Sequence, residues 1–284
     1  MASPGCPRAA QRVHRVVAGT RSGHRGRSPC VNGSQRALLT RLSAVRQRYS
    51  PGVRALVIEH DEHGPAESVG YHLEERGFEL EVFLVLEDPD DPVSHKPFPD
   101  ATGYDALVVT GSPWSLADPD PIGSWIHREV DMVRAAHDAG TPVLGMCFGG
   151  QVISQALGGS ITRIDRPEFG WCQIEPIDGS PLPTGPWFQW HFDVFTVPDG
   201  AVELARNDSG PQAFRIGRSL GTQFHPEVTP RLISNWLDYG TEELAANGVS
   251  PQAMLAETVE RADAARGRAA DLVDWFLTEV AGSP

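Results

Sequence analysis

A cysteine in a glycine-rich frame is the residue of this 284-residue chain with the clearest potential for nucleophilic chemistry. Cys147 follows the apolar run Thr141–Met146, and Gly145 and Gly149 stand two residues before and after it. Small residues at these positions allow the tight strand-to-helix turn on which enzymes hold a nucleophile. A helix N-terminus favours the thiolate, and the N–H of the next residue, Phe148, would face a developing oxyanion. A buried structural cysteine beside a glycine-rich turn is the competing interpretation.

A thiol nucleophile also needs a base and a group that orients the base. Two His-X-acid pairs offer both, His191 with Asp193 and His225 with Glu227. Positions i and i+2 of an extended strand face the same side, so each pair predicts an imidazole close to a carboxylate. For either pair alone, a hydrogen-bonded or surface histidine without a catalytic role is the alternative. The spacing does not choose between the two pairs.

The elements that must hold these residues alternate between strands and helices. This alternation predicts an α/β fold with a doubly wound, mostly parallel central sheet and helices on both faces. Ligand sites in such sheets lie at the carboxyl edge, which is where Cys147 falls. Short strands are expected over 161–224, and a helical segment after Pro230 ends in a helix over 264–280. The predicted strands are 54–59, 78–86, 105–110 and 141–146, and the helices between them are 66–76, 122–139 and 149–157.

The charge distribution divides the chain into a basic head and an acidic body. Residues 1–50 hold ten Arg and no Asp, Glu or Lys, whereas the rest carries all 37 acids and only 14 bases. We therefore expect three parts: a head over 1–52, a catalytic domain over 53–230 and a helical extension packed on it over 231–284. The head is interpreted as a disordered tail or a misassigned start. A transit peptide and a segment that binds nucleic acid or an anionic surface are the alternatives.

Composition excludes several classes of protein. No run approaches the ~20 apolar residues of a membrane helix, and the acidic body disfavours nucleic-acid binding. The body has two cysteines, Cys147 and Cys172, so a disulfide scaffold is excluded, and Cys172 is expected to be structural. The run Glu59–His63 suggests zinc or iron ligands, but a solvated polar loop is the preferred interpretation. We expect a cytoplasmic protein with no metal and no cofactor.

Three motifs together resemble the class I glutamine amidotransferase domain, as found in guanylate synthetase. They are GMCFGGQ at 145–151, TQFHPE at 222–227 and TGSP at 110–113. Each motif alone is weak, but their order and spacing agree from about residue 54 to 230. The resemblance implies a cysteine thioester enzyme that hydrolyses a γ-glutamyl amide.

The resemblance also implies a role for each matching residue. Cys147 would be the nucleophile, His225 the general base and acid, and Glu227 the orienting carboxylate. The backbone N–H groups of Ser112 and Phe148 would form the oxyanion hole. Residues expected to bind the substrate are Gly111, Gln151, His191 and Asp193.

Departures from the family pattern leave the substrate open. Several family members have glycine where Ser112 and Phe192 stand, and Phe192 is expected to narrow or reshape the pocket. The chain has no GxxxxGK[ST] phosphate loop, and no stretch resembles a synthetase domain. It would therefore either pass ammonia from glutamine to a separate synthetase subunit or hydrolyse γ-glutamyl conjugates as a γ-glutamyl peptidase does.

Two further classes compete with this interpretation. Dienelactone hydrolases also carry a G-x-C-x-G-G elbow with a Cys-His-Asp triad, but their acid precedes the histidine at a distance. Here Glu227 follows His225 by two residues. A catalytically silent binding or regulatory protein is the other alternative, and the presence of all three triad residues argues against it.

Overall fold

A computed structural model describes residues 52–282 of the chain. The basic head predicted over 1–52 lies outside the described residues, apart from Gly52. None of the described helices is long and apolar enough to cross a membrane.

An eight-stranded sheet forms the centre of the fold, in the order β2-β1-β3-β4-β10-β9-β8-β6. The first five of these strands are parallel, and the last three run antiparallel to their neighbours. The predicted α/β fold with a mostly parallel sheet is confirmed. The parallel strands are β1 (Arg54–Glu59), β2 (Glu79–Leu84), β3 (Ala106–Val109), β4 (Val143–Met146) and β10 (Ser219–Thr222), and the antiparallel ones are β6 (Glu175–Pro176), β8 (Val202–Asn207) and β9 (Gly210–Ile216).

Helices cover both faces of this sheet because its central strands are apolar on both sides. Along β1, Ala55 and Val57 belong to the core beneath α1 and α5, whereas Leu56 and Ile58 belong to the core beneath α2 and α3. The α-helices are α1 (Glu67–Glu75), α2 (Ile126–Asp138), α3 (Phe148–Ala156), α4 (Pro230–Ala246) and α5 (Pro251–Trp275), with a short 3₁₀ turn at Ala101–Gly103 and a π-helical turn at Phe276–Val280.

Two predicted helix starts are wrong. The helix expected from Ile122 begins at Ile126, because the N–H of Trp125 bonds the Ile122 carbonyl in a preceding turn. The helix expected over 264–280 begins at Pro251. There the Ser250 hydroxyl accepts the Ala253 N–H at 3.3 Å, and a proline in the first turn needs no hydrogen-bond partner for its nitrogen.

A separate antiparallel ribbon lies outside the main sheet, between α3 and β8 in sequence. It pairs β5 (Ile161–Gln173) with β7 (Pro186–Phe195), and its register shifts between Arg163 and Glu168. Only short strands were expected here, but both strands are long. An isolated bridge joins Phe188 of β7 to His225, so the ribbon is tied to the segment that follows β10.

Candidate active site

The chain between β4 and α3 makes a strained turn at Cys147. Its backbone has φ +50° and ψ −106°, a conformation that costs a non-glycine residue of the order of 1–3 kcal/mol. The glycine frame makes this turn possible. A Cβ at Gly145 would overlap the Gly149 carbonyl, and a Cβ at Gly149 would overlap the Val109 carbonyl. The predicted strand-to-helix elbow is therefore present, with Cys147 as the residue that precedes α3.

Hydrogen bonds from neighbouring strands hold the elbow at the carboxyl edge of the sheet. The Cys147 N–H donates to the Thr222 carbonyl at 2.9 Å, and the Gly149 N–H donates to the Thr110 carbonyl at 3.1 Å. Phe148 is the first residue of α3, so no helical carbonyl precedes it to accept its N–H. The role of this N–H as an oxyanion donor stays a prediction.

The second His-X-acid pair forms a buried dyad. His225 Nδ1 and Glu227 Oε1 lie 2.7 Å apart, and both side chains are almost completely shielded from solvent. The backbone places the imidazole, because the His225 N–H donates to the Phe188 carbonyl at 2.9 Å. Among the described residues, Nε2 of His225 is buried and has no hydrogen-bond partner.

Gly111 lies between this dyad and the cysteine, and its lack of a side chain allows their close approach. A Cβ built on Gly111 would lie 3.1 Å from Cε1 of His225 and 3.9 Å from Cβ of Cys147. Burial, the largest influence, lowers the pKa of His225, but the negative charges of Glu227 and Cys147 outweigh it and hold that pKa well above 6.5. This raised pKa favours the protonated form of the His225 imidazole.

The first His-X-acid pair does not form the predicted imidazole–carboxylate contact. His191 is buried, with Nε2 3.0 Å from Glu168 Oε2 and Nδ1 3.1 Å from the backbone carbonyl of Asp193. The Asp193 carboxylate instead accepts the Ser115 hydroxyl and lies 3.4 Å from Arg163. The prediction fails because Glu168 is the cross-strand partner of His191, so its carboxylate, and not that of Asp193, bonds the imidazole.

Two buried glutamines lie next to the elbow. The Gln151 amide donates to the Asp193 carbonyl at 3.1 Å and to Gln223 Oε1 at 3.4 Å. Nε2 of Gln223 in turn lies 3.7 Å from Sγ of Cys147. Sequence reasoning assigned no role to Gln223, although it belongs to the TQFHPE motif and follows β10 directly.

A cleft of about 490 Å³ opens at His225. Of the residues predicted for the site, only Gly111, Ser112 and His225 line it, whereas Gln151, His191 and Asp193 are buried. Phe192, expected to narrow the pocket, packs instead against Phe169 and under the Arg163 guanidinium. The other lining residues are Asp61, His63, Gly64, Pro113, Trp190, Trp236, Tyr239, Gly240, Glu242 and Glu243.

Helix α4 supplies one wall of this cleft, which the sequence did not predict. The Trp236 ring meets the His225 imidazole edge-on, with ring centroids 5.0 Å apart, and its indole N–H donates to the His63 carbonyl at 2.7 Å. Trp190 donates to Glu243 at 2.7 Å, and Gly240 leaves room for its ring. The segment after residue 230 therefore contributes to the site itself.

The acidic and histidine-rich run after β1 is only partly solvated, with Glu62 exposed. His60 and Asp61 are both shielded from solvent, and His60 is bonded to Glu129 of α2 and to the Gly111 carbonyl. The expectation of a solvated loop is wrong for these two residues, because His60 lies against the Gly111 carbonyl in the loop that follows β3. Within residues 52–282, no group of three or more His, Cys, Asp or Glu side chains is arranged to hold a metal ion.

Cys172, the other cysteine of the body, is placed in β5. Burial, together with the negative charges of Glu168 and Glu257, raises the pKa of its thiol to about 11. The thiol therefore stays protonated at neutral pH and is unsuited to nucleophilic attack.

Comparison with protein-family models matches residues 63–237, more than half of the chain, to the family Glutamine amidotransferase class-I. The chain therefore belongs to the class I glutamine amidotransferase family. The predicted family and enzyme class are confirmed, and a Cys-His-Glu triad is characteristic of that family.

Curated relatives carry the same resemblance. The chain is 32% identical over 161 residues to the GMP synthase [glutamine-hydrolyzing] of Aeropyrum pernix, covering 48% of this chain and 30% of that protein. It is 31% identical over 178 residues to the enzyme of the same name from Thermus thermophilus, covering 56% and 32%. The chain thus spans about a third of the length of these relatives.

Solved structures show the same fold. A glutamine amidotransferase from Thermotoga maritima superposes with a TM-score of 0.70 at 23% identity, covering 80% of this chain and 99% of that one. A glutamine amidotransferase from Methylobacillus flagellatus gives a TM-score of 0.70 at 22% identity, covering 81% and 96%.

Proposed function

We propose that this protein hydrolyses the γ-amide of glutamine through a thioester on Cys147. The observation that carries the proposal is the buried pair of His225 and Glu227, 2.7 Å apart, held against the elbow cysteine by Gly111. A strained elbow, a base and an orienting carboxylate are the parts that cysteine acyl transfer needs.

The reaction follows from these positions. The thiolate of Cys147 attacks the γ-carbonyl carbon, and the N–H groups of Ser112 and Phe148 stabilise the oxyanion. His225 gives its proton to the leaving nitrogen, the C–N bond breaks and ammonia departs. His225 then takes a proton from water, which attacks the thioester and releases glutamate and the thiolate. Glu227 stabilises the imidazolium throughout.

In this proposal the released ammonia passes to a separate synthetase subunit, which uses it. Curated relatives named GMP synthase are about three times as long as the part of them that this chain matches. A partner that supplies the missing synthetase function would show itself by raising the rate of glutamine hydrolysis when the two proteins are mixed.

Hydrolysis of γ-glutamyl conjugates is the second candidate function, and the extent of the cleft beyond His225 supports it. The cleft continues past His225 along α4 to Tyr239 and Glu242, where a group attached to the amide nitrogen has room. A screen of glutamine, γ-glutamyl dipeptides, glutathione conjugates and γ-glutamyl polyamines, with ammonia and glutamate both measured, separates the two candidates. Faster release of glutamate from conjugates than from glutamine would favour the hydrolase.

Labelling with a diazo-ketone analogue of glutamine tests the nucleophile. We expect one adduct, on Cys147, in the wild type. Cys147→Ala should lose both the adduct and turnover, and Cys172→Ala is the matched control that should keep both. A folded wild-type protein that takes no adduct on Cys147 would refute the proposed function.

A further inference from the structure

A second buried histidine–glutamate pair lies directly behind the cleft, and the triad does not use it. His60 follows β1 and Glu129 lies on α2, and neither side chain is exposed to solvent. Nε2 of His60 is 3.0 Å from one carboxylate oxygen of Glu129 and 3.2 Å from the other. Burial of two ionisable groups is costly even when they are paired, so this pair needs a structural or functional reason.

The other nitrogen of this imidazole holds the loop that follows β3. Nδ1 of His60 lies 2.9 Å from the carbonyl oxygen of Gly111, where it is the donor. The Thr110 hydroxyl donates to the same oxygen at 3.3 Å, and a Cβ on Gly64 would lie 3.3 Å from it. The Gly111 carbonyl is therefore held by hydrogen bonds from His60 and Thr110, with Gly64 close beside it.

The direction of that carbonyl decides where the next N–H points. A trans peptide unit is planar, and its C=O and N–H bonds point in opposite directions. None of the peptide bonds in the described part of the chain is cis. With its carbonyl bonded to His60, the Gly111–Ser112 peptide turns the Ser112 N–H away from His60. Ser112 itself lines the cleft beside His225.

The imidazole of His60 also touches the second oxyanion residue. Its ring packs edge-on against the Phe148 ring, with centroids 4.7 Å apart, and Trp125, the residue before α2, packs on both rings. Phe148 supplies the N–H that opens α3. One buried side chain thus contacts both the peptide that carries the Ser112 N–H and the residue that carries the Phe148 N–H.

We propose that His60, oriented by Glu129, is a positioning residue that sets the oxyanion hole of this enzyme by holding the Gly111–Ser112 peptide and the Phe148 ring. This rests on the proposed function. Hydrogen bonds in series polarise one another, so the bond to His60 also strengthens the Ser112 N–H as a donor. Burial, the largest influence, lowers the pKa of His60, but the charge and hydrogen bond of Glu129 outweigh it, so the pKa is raised above 6.5. The raised pKa supports a charged donor.

The test compares four variants in glutamine hydrolysis. His60→Leu removes the donor, His60→Asn keeps an amide N–H in place of Nδ1, and Glu129→Gln keeps the shape of the orienting group. His72→Leu is the matched control, because His72 is also buried, lies 3.0 Å from Glu75 and 3.2 Å from a backbone carbonyl, and belongs to α1 away from the cleft.

We expect His60→Leu to lower kcat about 10²-fold, as loss of an oxyanion donor does, with KM changed less than about threefold. Alkylation of Cys147 by iodoacetamide forms no oxyanion, so its rate should stay within about twofold of wild type. The kcat values of His60→Asn and Glu129→Gln should lie between that of His60→Leu and a value about threefold below wild type. His72→Leu should lower stability without this loss of kcat.

Two outcomes would overturn the proposal. The first is a kcat of His60→Leu that lies within about threefold of wild type. If the leucine variant does not fold, the kcat of Glu129→Gln takes its place in this comparison. The other is an equal fall in kcat and in the alkylation rate, which indicates general distortion. In both cases wild-type turnover and the diazo-ketone adduct would still support the proposed function, whereas their absence would refute function and inference together.

Discussion

Nδ1 of His225 lies 2.7 Å from Oε1 of Glu227, two residues further along the chain, and both side chains are buried. The contact spans a single proline, so local backbone geometry brings the two groups together. The carboxylate can therefore stabilise the imidazolium through every step of acyl transfer.

Replacing the triad residues one at a time should give graded losses. Cys147→Ala should lower kcat by about 10⁴-fold or more, since no other group can form the thioester. His225→Ala should come close to this loss, and Glu227→Gln should lose less because the amide still holds the ring. Steady-state release of glutamate measures all three, and near-wild-type turnover of Cys147→Ala would disprove the assignment.

The stability conferred by Glu227 should depend on pH. His225 has its pKa raised in the folded protein, so its protonation stabilises the fold below its unfolded pKa near 6.5, and this contribution is lost as the pH rises through the higher native pKa. Glu227→Gln removes the main cause of the raised pKa. The difference in free energy of unfolding between wild type and variant should be larger at about pH 5.5 than at about pH 9. Denaturant titration at both pH values measures it, and equal differences would contradict the prediction.

A methyl group at the elbow should be poorly tolerated. The Cβ of Gly149→Ala would overlap the Val109 carbonyl, so the variant should lose about 1–3 kcal/mol or more of stability, along with most of its activity. Gly267→Ala on α5 is the matched control, since a Cβ there meets no atom within 4 Å and should stabilise the helix by about 0.5–1 kcal/mol. Chemical denaturation with parallel activity assays compares them, and equal effects of the two substitutions would count against the packing argument.

The α4 wall should contribute to turnover. Trp236→Ala removes the ring edge that meets His225 at 5.0 Å and the bond to the His63 carbonyl, so we expect kcat/KM to fall about tenfold. Trp236→Phe should lose less, because it keeps a ring against the imidazole. Trp275→Ala, at the end of α5, serves as a control that lowers stability but not turnover. If Trp236→Ala and Trp275→Ala affect kcat/KM equally, the wall has no specific role.

The sequence by itself determined the local chemistry of this protein. The glycine frame around Cys147, the His225–Glu227 spacing and the alternation of strands and helices each depend on residues close together in the chain. Short-range sterics and strand periodicity govern such features, so the elbow and the fold class were predictable. Both His-X-acid pairs have the same spacing, and only the family resemblance favoured His225 with Glu227.

Only the tertiary structure decided how distant segments meet. The cross-strand partner of His191, the burial of His60 against Glu129 and the approach of Trp236 to His225 join residues from separate elements. Spacing along the chain carries no information about these contacts, because they depend on strand register and on where a helix packs. For that reason the elbow at Cys147 was predictable from the sequence, whereas the α4 wall of the cleft and the contact of His60 with the Gly111 carbonyl were not.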